Sequence, residues 1–138
     1  MEEKPTLQQK RAAYALKSLN LASKNPKVSK ELSQFIVGMP NMILSNGIGQ
    51  TMAFLLSKQG KTGQSDKTGK TFTILKEWLE LRMPEQFSGT AEDLEFIKHF
   101  NEISQSDYLQ AQRECLRLVE WLKRYARAFV EDSDNKKD

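Results

Sequence analysis

Apolar residues recur along this chain at intervals of three and four, and nowhere do they keep the two-residue alternation of a half-buried strand, so the pattern predicts helices joined by short turns. Six are expected. The first runs from about Thr6 to Ala22, preceded by Pro5 and ended at Asn25-Pro26. The second starts near Lys27 or Ser29, carries Val28, Leu32, Phe35 and Ile36, and stops at Gly38-Met39-Pro40. The third continues from Pro40 or Asn41 to about Ser57. The fourth, about Thr71 to Met83, is marked by Phe72, Leu75, Trp78 and Leu79 and stopped by Pro84. Thr90-Ala91-Glu92-Asp93 has the form of a capping box opening the fifth, which places Leu94, Ile97 and Phe100 on one face. The sixth, about Ser106 to Val130, is the longest, and its Tyr108, Ala111, Cys115, Leu118, Val119, Leu122, Tyr125, Ala126 and Phe129 share one broad face expected to be core.

The third helix is unusual because Gly47 and Gly49 lie inside it. Each costs about 1 kcal/mol against alanine in a helix interior, so close helix packing or close approach of the backbone to a ligand should compensate. Between the third and fourth helices, Gln59 to Lys70 contains no apolar residue and reads as a flexible basic loop, and the polar residues 131–138 read as a frayed tail. The length of 138 residues suits one all-helical domain over 1–138.

Charge adds a direction to this picture. Residues 1–70 hold eleven Lys and Arg against four Asp and Glu, and residues 71–138 hold ten against fourteen. A basic half joined to an acidic half suits an anionic partner such as nucleic acid, and equally suits contact with copies or with a complementary neighbour. On the sixth helix Arg113, Arg117, Arg124 and Arg127 fall within an arc of about 80°, interrupted only by Glu120. A solvated face explains such an arc on any soluble domain, while the planar fork of arginine favours phosphate. Lys10, Lys17 and Lys24 recur every seven residues on the first helix, with Arg11 nearby, and form a second basic row.

The vocabulary for catalysis is poor. Cys115 and His99 are the single cysteine and histidine, which removes internal disulfides, thiolate zinc sites and paired imidazoles. Gly69-Lys70-Thr71 resembles the end of a phosphate-binding loop, but the glycine required five residues earlier is Gln64, and no apolar strand precedes it. No enzymatic activity, metal or cofactor is expected. No run approaches the roughly 20 apolar residues of a membrane span, and Met1-Glu2-Glu3-Lys4-Pro5 does not begin a secretory signal, so a cytoplasmic location without membrane contact is expected.

Asn46-Gly47-Ile48-Gly49-Gln50-Thr51-Met52-Ala53-Phe54-Leu55 and Val119-Glu120-Trp121-Leu122-Lys123-Arg124-Tyr125-Ala126 resemble two hallmark stretches of one family, and Arg11-Ala12-Ala13-Tyr14-Ala15 is similar to its opening helix. That family is the small subunit of the type III-B (Cmr) CRISPR effector complex. The resemblance covers about residues 5 to 130; the 59–70 stretch and the tail are the least similar parts. It implies a six-helix α domain without a nuclease site. Such a domain stacks with further copies of itself in the inner filament of a crRNA-guided complex, beside backbone and large subunits and along the target RNA. It also implies packing or contact roles for Asn46, Gly47, Gly49, Gln50 and Trp121. Lys123 and Arg124 join Lys10, Arg11, Lys17, Lys24, Arg113 and Arg117 as candidate RNA-binding residues. The alternative from another class is a stand-alone all-α DNA-binding regulator, which a basic first half and helix-turn-helix-like connections would also suit.

Overall fold

A computed structural model describes residues 3–21, 25–58, 67–89 and 92–131, and among them seven helices and no strand are found. Helix α1 (Leu7–Ser18) opens on a capping box: the Gln9 N–H donates to Thr6 Oγ1 at 3.1 Å, and the Thr6 N–H donates to Gln9 Oε1 at 2.7 Å. It ends earlier than its pattern suggests, because Asn20 adopts the left-handed conformation (φ 59°) and the Leu21 N–H turns back to the Leu16 carbonyl at 3.0 Å. Asparagine tolerates that conformation better than other side chains, so the chain stops there and does not wait for Asn25-Pro26. Helix α2 (Lys30–Val37) starts on Ser29, whose Oγ accepts the Leu32 N–H.

Helix α3 (Met39–Lys58) follows Gly38 directly, and α4 (Lys67–Arg82) begins four residues before its expected start. Lys67 to Lys70 are thus its first turn and not loop, tied in by the Thr71 hydroxyl donating to the Lys67 carbonyl at 2.8 Å. Residues 59–66 of the expected loop, and 132–138 of the expected tail, lie outside the described residues. Pro84 ends α4 but also starts a further short helix, α5 (Pro84–Phe87), whose single turn sets Phe87 fully in the core. Helix α6 (Asp93–Glu102) takes Glu92 as its N-cap, with no side-chain bond; the expected cap, Thr90, lies outside the described residues. Helix α7 (Gln105–Ala128) opens where Ser104 Oγ accepts the Asp107 N–H at 3.0 Å.

The chain divides into two compact units, Met1–Gly38 with Arg117–Asp138, and Met39–Leu116. In the first, Ala15, Ile36, Leu118, Val119, Leu122 and Ala126 are fully buried. Val28 pairs with the segment after α7: its N–H donates to the Phe129 carbonyl and its carbonyl accepts from the Glu131 N–H, each at 2.8 Å. That pairing turns Phe129 outward, 37% exposed, so the core face of α7 ends at Ala126.

In the second unit, α3 packs on α4 and α6. Phe96 is the centre of a ring cluster, edge-on to Phe72 and Phe100 with centroids 5.8 and 5.3 Å away and 5.3 Å from Phe87. Such offsets follow the ring quadrupole, and each pair adds about 0.5–1.5 kcal/mol to its area burial.

Candidate functional site

The family-like stretch of α3 is a helix break. Gly47 has φ 83° and ψ 157°, a region open essentially to glycine alone. A helix interrupted there must satisfy the N–H groups of its restarted half and the carbonyls of the half before it. Three side chains do so. Gln112 Oε1 of α7 accepts the Ile48 N–H at 2.9 Å, Tyr108 Oη of α7 accepts the Gly49 N–H at 2.9 Å, and the Thr51 hydroxyl donates to the Met42 carbonyl at 3.4 Å. Tyr108 and Gln112 are one turn apart on α7, so a single face of that helix supplies both caps.

The fit is tight enough that a larger residue at either glycine would have to push Tyr108 aside. A Cβ at Gly47 would lie 3.0 Å from Tyr108 Oη, and one at Gly49 would lie 3.1 Å from the same oxygen and 3.3 Å from its ring. Of the two compensations the glycines called for, close packing is the one found. Asn46 and Gln50 are exposed and, with Met42, Ala53 and Phe54, line a groove of about 420 Å³ on the outer side of α3. From Ser33 to Ser57 the chain has no charged residue, yet Leu44 is 66% and Phe54 40% exposed.

The same unit buries a carboxylate. Glu114 is 6% exposed; its Oε1 accepts Trp78 Nε1–H at 3.1 Å and its Oε2 meets Arg82 Nη2 at 3.4 Å. Cys115 beside it is fully buried, and burial, reinforced by the Glu114 charge, pushes its thiol far up, so no thiolate forms at neutral pH. His99 Nδ1 lies 2.7 Å from the Glu95 carbonyl. A carbonyl only accepts, so that nitrogen carries the proton and serves its own helix. Gly69-Lys70-Thr71 lies within α4, and a regular helix turn is not a phosphate-cradling loop. Among the described residues no three of His, Cys, Asp and Glu gather at metal-binding distance.

The basic candidates divide. Lys10, Lys17, Arg113, Arg117 and Arg124 are exposed. Lys24 lies outside the described residues. Arg11 is 5% exposed and donates to Gln8 Oε1 at 3.3 Å, so it packs inside the first unit and does not belong to the surface row. Lys123 is half-buried, paired with Glu120 at 3.4 Å. Trp121 is half-buried, donates Nε1–H to Gln8 Oε1 at 3.4 Å, and has its ring 5.6 Å from that of Tyr125. Gln8 is therefore a residue the pattern did not single out; only the contact of α1 with α7 reveals it. Lys10 and Lys17 lie about 160–180° round α1 from Gln8. The lysine row is thus on the opposite side of α1 from its contact with Trp121, and within the first unit Lys10 and Lys17 form a surface separate from that of Arg117 and Arg124, while Arg113 belongs to the second unit.

These features define an all-helical protein that carries a laterally capped helix break in one unit and exposed basic rows in the other. Residues 7–129 match the family described as CRISPR-associated protein (Cas_Cmr5), a span that contains both the Gly47 break and the Trp121 segment. The chain belongs to this family, the small subunits of type III-B (Cmr) CRISPR-Cas complexes, and as a member it associates with other subunits of that complex. No helix among the described residues is long and apolar enough to cross a membrane.

Proposed function

We propose that this chain is a non-catalytic small subunit that stacks with further copies of itself in the inner filament of a crRNA-guided complex in the cytoplasm, contacts the backbone and large subunits, and helps to hold the target RNA. The observation that carries the RNA contact is the exposure of Lys10 and Lys17 on α1 and of Arg117 and Arg124 on α7, all in one unit. Cations that meet phosphates bind without regard to sequence, which suits a complex whose guide supplies specificity by base pairing. The stretch from Ser33 to Ser57 carries no charged residue and leaves Leu44 exposed, which suits burial against a neighbouring protein, because interface cores are depleted of charge.

Alanine at Lys10 and Lys17, or at Arg117 and Arg124, is expected to weaken target-RNA binding by the assembled complex. The salt dependence should flatten by ~0.7 in log-log slope for each phosphate no longer neutralised. Stability should move by no more than about 0.5 kcal/mol, since exposed charges outside the core contribute little. Affinity titrations over a salt series, on complexes checked for intact composition, provide the measurement. If both rows are neutralised and neither affinity nor slope changes, the rows do not touch RNA.

The isolated chain is expected to cleave neither RNA nor nucleoside triphosphate, with or without divalent metal. Turnover that disappears with His99→Ala or Lys70→Ala would reverse the non-catalytic reading.

A further inference from the structure

We infer that Trp121, with Tyr125 behind it, is a stacking site for an unpaired nucleobase, so that this surface grips a single strand by its bases as well as by its phosphates. The inference rests on the RNA reading above and extends it from charge to base contact. Around α7, Trp121 lies about 40° from Arg117 and about 60° from Arg124, whereas Leu118 and Leu122 lie on the far side of it, toward the core. The indole is thus on the shoulder between the exposed arginines and the buried face, half-exposed in the structure.

Its edge is fixed by the bond from Nε1 to Gln8 Oε1, which also accepts from Arg11. The Tyr125 ring, one turn on, backs it at 5.6 Å with a 36° tilt. A ring held at its edge and supported on one side loses little freedom when a base covers its exposed part. Arginines one turn before it and about one turn after it are spaced to take the flanking phosphates. Aromatic rings set among such cations are the usual platform for single-stranded nucleic acid, because every base has a π-face and stacking tolerates any sequence. Trp121 borders the arginine arc on its core-ward side, where a base would lie if the strand followed Arg117 and Arg124, while Glu120 inside the arc is paired with Lys123 at 3.4 Å.

The test compares oligouridylate with an abasic oligonucleotide of equal length and phosphate number, each titrated onto the full chain at low salt by fluorescence anisotropy. The wild-type chain should bind oligouridylate about tenfold more tightly than the abasic strand. Trp121→Leu should abolish that difference while leaving the salt slope and abasic affinity unchanged, and Trp121→Phe should keep most of it. Equal affinity of the wild-type chain for both strands overturns the stacking site and leaves phosphate contact standing. An equal drop on both strands in Trp121→Leu overturns it too, since that marks a packing role, as does a variant that binds like wild type but no longer assembles with its neighbours. Binding of neither strand by the chain overturns the stacking site, whereas the RNA reading itself stands or falls with the salt-series titration of the assembled complex.

Discussion

Gly47→Ala should destabilise the second unit by about 2–4 kcal/mol, as the combined cost of a backbone conformation closed to side chains and of a methyl group forced against Tyr108. The φ of 83° with ψ 157° cannot relax to an ordinary helical value without rotating the Ile48 and Gly49 N–H groups away from Gln112 and Tyr108. Tyr108→Phe alone should cost about 1–2 kcal/mol, because it strips the acceptor from the Gly49 N–H. It also removes the oxygen 3.0 Å from the new Cβ, so the double variant should lose less than the sum of the two. Urea unfolding of the four proteins in the cycle measures this. Additive losses would mean that Tyr108 and Gly47 do not share a contact, and a Gly47→Ala loss below about 0.5 kcal/mol would mean that the helix runs unbroken.

Glu114→Ala should cost about 2–4 kcal/mol, for a different reason. The carboxylate accepts from a buried indole N–H and faces a guanidinium, and removing one partner of a buried network leaves the others desolvated. The Arg82 side chain is 33% exposed, so water recovers part of its loss and the cost stays below that of a fully buried pair. Glu114→Gln keeps an acceptor for Trp78 Nε1–H and should lose less than half as much. Denaturation curves followed by tryptophan fluorescence separate the cases. Equal losses for Ala and Gln would place the whole effect in the charge, and no loss for Ala would show that the indole finds water or another acceptor.

The two sites relate differently to the proposed role. The α3 break lies in a stretch without charged residues that leaves Leu44 and Phe54 exposed, the latter with the Lys58 ammonium 5.7 Å from its ring, while Arg117, Arg124 and Trp121 lie on a charged side of α7. Changes at Gly47 are therefore expected to act through folding and assembly, and changes at Arg117 or Trp121 through RNA affinity with folding intact.

Helix type was legible in the chain because a 3.6-residue period of apolar side chains is a local property that survives any tertiary arrangement. It marked a core face on α7 from Tyr108 to Phe129, of which Ala111 to Ala126 is the buried part. Cap and proline signals put the start of α2 at Lys27 or Ser29, the second being its N-cap, and the stop of α4 at Pro84, and the two family-like stretches carried the Cmr assignment. The glycine pair on α3 announced a cost that something had to offset, but not what offset it. The answer lies in Tyr108 and Gln112, 59 and 64 residues further along and meeting the break only after folding. The same distance hid Glu114, whose partners Trp78 and Arg82 sit on α4, and Gln8, whose partner Trp121 is 113 residues away. Arg11 read as surface charge because burial depends on which helix covers it, and Phe129 read as core because the Val28 pairing that turns it outward is not periodic. Periodicity thus determined which residues form helices and which faces are apolar, whereas tertiary contact alone decided where a helix breaks and which polar groups it buries, since each hydrogen bond at issue joins residues that the chain itself keeps far apart.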